Sequence, residues 1–223
     1  MPTDLRPSRR VLEFAEAFGL LTPALAARGL LGGDISLARL VLAQLSTAGR
    51  LHRHLCRFSA SVKRFSYYSC NRRPMTLTGV RAAYAAASFV SRVDPAVRIV
   101  PREFSELMTP LAQGAGADLP AYRPCYLRGL DSATPRVSLV WAARSRDMNT
   151  VVGHLDAFVS HTAFTPWRGL ALAGHLEITC LFRSFRGSAE LQRWLERRPV
   201  LSRAGGGPVR IPVVVHPAAA LRG

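Results

Sequence analysis

Apolar positions in the first third of the chain recur at helical spacing. Val11, Phe14, Ala15 and Phe18 follow the i, i+3, i+4, i+7 rule and predict one buried helix face. Thr22-Pro23 reads as a cap followed by proline in the first turn of a second helix, with Gly32-Gly33 closing it. Asp34 then caps a third, with Leu37, Leu40, Val41 and Leu45 on the buried stripe and Gly49 beyond its end. Further on, Thr78 reads as the cap of a helix presenting Arg81 on one side and Ala83, Tyr84 and Ala87 on another, closed by Asp94-Pro95.

The pattern then breaks. Residues 101–135 hold Pro101, Pro110, Pro120, Pro124 and Pro135 with Gly114, Gly116 and Gly129, a composition that predicts a connecting segment without long regular elements. Phe104, Leu107, Met108, Tyr122 and Tyr126 would pin it across a neighbouring surface.

In the last third the period becomes two. Val137, Leu139 and Trp141 alternate with Ser138, Val140 and Ala142, as in a strand packed on both faces. Met148, Val151, Val152, Leu155, Phe158 and Val159 form an amphipathic helix capped by Ser145 or Asp147. Leu176, Ile178, Cys180 and Phe182 make a second strand, and Leu191, Trp194 and Leu195 the inner side of a short helix. Gly205-Gly206-Gly207 turns the chain into a final strand, Val209 to Val215, placed at an edge or bulged because Pro212 cannot donate to a ladder. The expectation is an α+β fold: a helical basic region over 1–100, a Pro/Gly-rich connection over 101–135, a β-α-β-α-β unit with a three-stranded sheet over 136–217, and a tail over 218–223. Both right-handed crossovers with the helices on one face and a split ferredoxin-like layout fit this periodicity.

Charge changes the picture more than composition does. The 223 residues hold 30 Lys+Arg against 14 Asp+Glu. Residues 1–34 are balanced at four each, residues 35–93 carry ten bases and no acid, and residues 94–223 carry sixteen bases and ten acids. The densest part runs Arg50, Arg53, Arg57, Lys63, Arg64, Arg72, Arg73, interleaved with Phe58, Phe65, Tyr67 and Tyr68. Cations beside rings suit non-specific nucleic-acid binding, and an acidic protein surface would be drawn by the same field. Set against both is a solvated basic loop beside core aromatics. Lys63 is the single lysine, a bias that points to GC-rich codons before it points to function.

Catalytic and metal motifs are not legible. Cys56, Cys70, Cys125 and Cys180 form no Cys-x-x-Cys pair, and His52, His54, Cys56 and Cys70 match no zinc-finger spacing, so neither a disulfide framework, a metal nor a cofactor is expected. His175-Leu176-Glu177 resembles half of a zinc-deaminase signature but lacks its Pro-Cys-x-x-Cys half. There is no phosphate-binding loop before Lys63, no third glycine after Gly114-Ala115-Gly116 and no Gly-x-Ser-x-Gly elbow. The longest charge-free runs, 11 residues, are too short for a spanning helix. Met1 to Arg6 has no apolar h-region, so a secretory signal is not expected.

Three runs are similar to a known family: Leu176 to Ser184 (LEITCLFRS), Ala189 to Pro199 (AELQRWLERRP) and Val209 to His216 (VRIPVVVH). Their order resembles the small nuclear phosphoprotein family of alphaherpesviruses, whose gene neighbours the viral uracil-DNA glycosylase gene. The similarity covers roughly residues 137–217, with Val151 to Gly169 fitting loosely, and leaves residues 1–100 without a counterpart. The resemblance implies a phosphorylated, non-enzymatic protein of the infected-cell nucleus with no catalytic residues to transfer. The arginine bias is compatible with such a genome.

Expectations for function follow. The first is an accessory factor acting through viral or host nuclear proteins; the alternative is a nucleic-acid-binding accessory protein using residues 50–73. A third reading, an assembly role, would act through an exposed apolar patch. Lys63-Arg64, Arg72-Arg73 and Arg9-Arg10 are short basic pairs, weaker than contiguous import signals. For phosphorylation, Ser66 after Lys63-Arg64-Phe65 is the leading candidate, ahead of Ser59 and Ser8; its phosphate is expected to meet Arg64, Arg72 or Arg73.

Overall fold

The computed structural model describes residues 6–56, 65–93, 98–99, 101–128, 135–182 and 185–218. It is a mixed α/β chain that divides into two compact units, Met1–Ala96 with Ala219–Gly223, and Val97–Ala218.

The first unit is helical apart from one hairpin. Helix α1 (Arg6–Phe18) buries the face its spacing predicts: Val11, Phe14, Ala15 and Phe18. Thr22 accepts from Leu25 N and opens α2 (Pro23–Leu30). Gly32 and Gly33 follow at φ 62° and 92°, values that only glycine adopts without strain, and the Gly33 N–H closes back on Ala27 O. Asp34 accepts from Ser36 N and Leu37 N at the start of α3 (Ile35–Thr47).

Within α3 the buried residues are Ala38, Val41 and Leu42, whereas Leu40, placed inward by periodicity, is 55 % exposed. The helix is apolar nearly all round, so two stripes compete. The small Ala38 marks the one its neighbours press against.

Strands β1 (His52–Cys56) and β2 (Phe65–Ser69) pair antiparallel, a hairpin inside the region expected to be helical over 1–100. Helix α4 (Leu77–Val90) starts two residues before the expected place because its cap is Thr76, accepting from Gly79 N, and not Thr78. Asp94-Pro95 lies outside the described residues.

The elements of the second unit are β3 (Arg98–Ile99), α5 (Pro101–Gly114), β4 (Cys125–Arg128), β5 (Arg136–Ala142), α6 (Met148–Ser160), a 3-10 turn over Thr162–Phe164, α7 (Thr165–Leu172), β6 (Leu176–Phe182), α8 (Phe185–Arg197), β7 (Val200–Ser202), β8 (Val209–Ile211) and β9 (Val213–Pro217). Its sheet is five-stranded, not three-stranded, in the order β3-β4-β5-β6-β9. Strands β5, β6 and β9 run parallel side by side, while β3 and β4 add an antiparallel edge.

The segment 101–135, expected as a connection, therefore belongs to this unit and supplies a 14-residue helix and strand β4. Proline does not prevent α5. Pro101 occupies the first turn, where no N–H is needed, and Pro110 lies on the exposed side of a helix whose other side buries Phe104, Met108 and Ala112. Of the residues expected to pin it, Phe104, Met108 and Tyr126 are buried and Tyr122 half-buried, while Leu107 faces out.

Alternate sheet residues Val137, Leu139, Leu176, Ile178 and Cys180 share one core with Phe104, Met108, Trp167, Leu191 and Leu195. Helix α6 adds Val151, Val152, Leu155 and Val159 to it. The final strand is split: Pro212 separates β8, which pairs with β7, from β9, which takes the sheet edge.

Candidate functional site

The basic stretch folds back on itself. β1 and β2 pair in the register His52↔Ser69, Arg53↔Tyr68, His54↔Tyr67, Leu55↔Ser66 and Cys56↔Phe65. One face is therefore His52, His54, Cys56, Phe65, Tyr67 and Ser69, and the other Arg53, Leu55, Ser66 and Tyr68.

The first of these faces turns inward. Tyr67 is fully buried, stacks on His54 at 5.1 Å, and its hydroxyl accepts from Met75 N at 2.9 Å. Burial pushes the Tyr67 phenol up, against the lowering effect of that Met75 bond. Phe65 meets Tyr84 of α4 edge to face at 5.9 Å. These rings hold the hairpin to its own unit and are not a free platform for bases.

His54 and Ser69 lie 3.2 Å apart, which invites a nucleophile–base reading. The Asn71 carbonyl prevents it. Ser69 Oγ donates to Asn71 O at 3.0 Å and His54 Nε2 approaches the same oxygen at 2.9 Å, which requires a proton on Nε2. A nitrogen that is donating cannot take the serine's proton.

The second face is the open one. Leu55 is 59 % exposed, Arg53 is exposed, and Ser66 and Tyr68 are half-buried. Tyr68 exchanges two backbone hydrogen bonds of 2.8 Å with Leu21, so its N–H and C=O point away from β1. Arg53–Tyr68 is then a non-hydrogen-bonded pair, as is Leu55–Ser66. It follows that Arg53 and Leu55 direct their own N–H and C=O to the outer edge of β1.

The register also distributes the cations. Arg50, Arg72 and Arg73, all exposed, flank the end where His52 meets Ser69. Arg57, Lys63 and Arg64 belong to the segment joining the strands and lie outside the described residues, as do Phe58 and Ser59. Near the open end, burial and then Glu16 raise the Cys70 thiol, with Arg50 acting the other way. Ser66 sits opposite Leu55, one diagonal step from Arg53, so Arg53 is nearer by register than the expected Arg72 or Arg73. Ser8 is half-buried in the first turn of α1, and Arg9 is paired with Glu13 at 3.0 Å.

Sequence reasoning missed a second polar group of residues, on the sheet of the second unit. Thr179 Oγ1 bridges Tyr126 Oη at 2.8 Å and Ser138 Oγ at 2.7 Å, and Glu177 pairs with Arg128 at 2.9 Å. The signal was present in the alternation of Ser138, and of Glu177 with Thr179, along otherwise apolar strands. The hydroxyls satisfy one another, and the Glu177 carboxylate of the incomplete deaminase signature is held by an arginine. His175 Nδ1 is 3.0 Å from Pro135 O. Among the described residues no three His, Cys, Asp or Glu side chains gather as a metal site, and no helix is long and apolar enough to cross a membrane.

Comparison with protein-family models, curated proteins and solved structures finds no match to this chain.

Proposed function

We propose that the protein is a non-catalytic accessory factor that holds a protein partner on the β1–β2 hairpin of its first unit. One observation carries this reading: the exposed hairpin face sets a largely exposed leucine, Leu55, beside Arg53 and half-buried Tyr68, while the rings of Phe65 and Tyr67 are committed to packing. A mixed apolar and cationic surface suits a protein interface, whose centre is apolar and whose rim is charged. Single-stranded nucleic acid stacks on rings, and of the described rings in this stretch Tyr68 is the one on the open face.

The setting we propose is the nucleus of an infected host cell, as a phosphoprotein, following the resemblance of residues 137–217 to the alphaherpesvirus family. Ser66 is our leading phosphorylation site over the equally half-buried Ser8, because Arg53 is close by in the register whereas Arg9 beside Ser8 is paired with Glu13. A phosphate there would add about −1.5 to −2 charges between Leu55 and Arg53 and cancel the field that draws an acidic partner.

The second reading is nucleic-acid binding through Arg50, Arg53, Arg57, Lys63, Arg64, Arg72 and Arg73. It is favoured by one fact, the absence of any acid between residues 35 and 93. Fluorescence-anisotropy titration against single-stranded RNA and duplex DNA at several salt concentrations separates the two. The partner reading expects weak binding that is gone at physiological salt. Tight binding that falls log-linearly with salt, and whose slope flattens in the Arg72→Ala/Arg73→Ala variant, would replace it with the second.

A further inference from the structure

Among the described residues the strand edges differ in how well they are shielded: that of β2 is closed at Tyr68 by Leu21, leaving Ser66, while β1 offers two residues in a row along its open edge. On β9, Pro217 has no N–H, and Val215 gives its own to Gln192 Oε1 at 2.9 Å. β3 is two residues long, and β7 and β8 are three each, too short to template another chain. β1 has five residues and no proline, and its outer edge offers the backbone groups of Arg53 and Leu55. Among the described residues no strand pairs with that edge. A charge on an edge strand can serve as a guard, but Arg53 stands beside a leucine that is 59 % exposed, which a guarded edge would not carry.

We infer that β1 takes an extended acidic segment of a protein partner by strand addition, the segment's backbone pairing with Arg53 and Leu55. This rests on the hairpin being the partner surface. Charge complementarity selects the segment: Arg53 lies on the exposed face, and Arg50, Arg72 and Arg73 continue the field beyond the end of the strand, with no acid in the intervening sequence. Residues sharing a strand face are two apart. A carboxylate beside Arg53 therefore places an apolar side chain beside Leu55 at the next position on that face. The recognised pattern is acid, any residue, apolar, in extended chain.

The test uses the full chain and a fluorescein-labelled eight-residue peptide of repeating Glu-Thr-Val-Thr, read by anisotropy at physiological salt. Two controls are the same peptide with Lys for Glu and the same peptide methylated on every backbone nitrogen. On the protein side, Leu55→Pro removes an N–H that points away from β2, so the hairpin keeps its ladder. Saturable binding to the Glu peptide is expected, with at least about five-fold loss for Leu55→Pro and for the methylated peptide, and none to the Lys peptide. If Leu55→Pro fails to fold, the methylated peptide alone decides.

Equal binding of methylated and unmethylated peptides, lost in Arg53→Ala, would overturn strand addition while keeping the hairpin as a charge-selected partner surface. Binding unaffected by any hairpin variant would overturn both. Absence of peptide binding overturns the inference, and if single-stranded RNA binds instead with a steep salt dependence, the partner reading falls with it.

Discussion

Cys125 and Cys180 sit on the helix-covered side of the sheet, and burial raises both thiols, Cys180 to about 12. Neither forms thiolate at ordinary pH, so both should resist alkylation at pH 8 until the protein unfolds, whereas half-buried Cys56 and Cys70 are reachable. Thiol counting with and without denaturant checks this; a fast-reacting Cys180 would mean the core is open. Asp147 caps α6, and hydrogen bonds from Thr150, its side chain first and then its N–H at 2.7 Å, hold the carboxyl below the usual aspartate value. The folded pKa being depressed, the stabilisation is present above the unfolded value and is lost as pH falls through the folded one. Asp147→Asn keeps an acceptor without the titration, and acid unfolding curves should show a shallower low-pH fall in that variant. Ser145, the other cap considered from the sequence, holds Asp147 instead, accepting its N–H at 3.1 Å. In the first unit, Thr22→Ala should lower stability by about 1 kcal/mol, measured by denaturant unfolding, because the cap is buried and its loss leaves Leu25 N unsatisfied.

At the scale of elements, what can be read in advance depends on whether one pattern stands alone. Helix α6 has a single apolar stripe and an unambiguous cap region, and its Val151, Val152, Leu155 and Val159 are buried as expected. Val152→Asp should destabilise the second unit by more than about 3 kcal/mol, since the carboxylate would enter the core without a partner; thermal unfolding near the parent's would show the helix is not packed there. Composition misreads helix α5, because a count of prolines and glycines does not ask which side they face. Phe104, Met108 and Ala112 recur at i, i+4 and i+8, and that stripe outweighs a proline on the exposed side. The hairpin is hidden for a different reason. Its period-two signal, His54 with Tyr67 and Ser69 inward and Arg53 with Leu55 outward, is short and written in mixed polar residues, so charge draws attention away from alternation. The candidate site is thus legible as a stretch of sequence, but not as a surface: register, not spacing, decides which of its residues stand together.

For the molecule as a whole, the charge excess is spread along a folded-back segment and not along a line. Arg72 and Arg73 lie exposed beyond the end of β2, so their joint replacement by Ala should change stability by no more than about 0.5 kcal/mol; loss of cooperative unfolding would show that the pair is structural. The size of the sheet is the largest feature the sequence withholds. β3 and β4 are short, and Ile99 meets Cys125 only across the whole of α5 and the chain after it, where no local pattern announces a partner. Ordering by charge and ordering by packing therefore place the points of interest in different units, the field in the first and the sheet in the second. The bond from Val215 to Gln192 gives that sheet a kinetic signature. An amide on an outer strand ordinarily trades its proton with solvent quickly, yet the Val215 amide should exchange slowly, and those of Arg53 and Leu55 fast. In Gln192→Ala the Val215 amide should join the fast class while its neighbours bonded to β6 stay slow, which would make one side chain the difference between a closed margin and an open one.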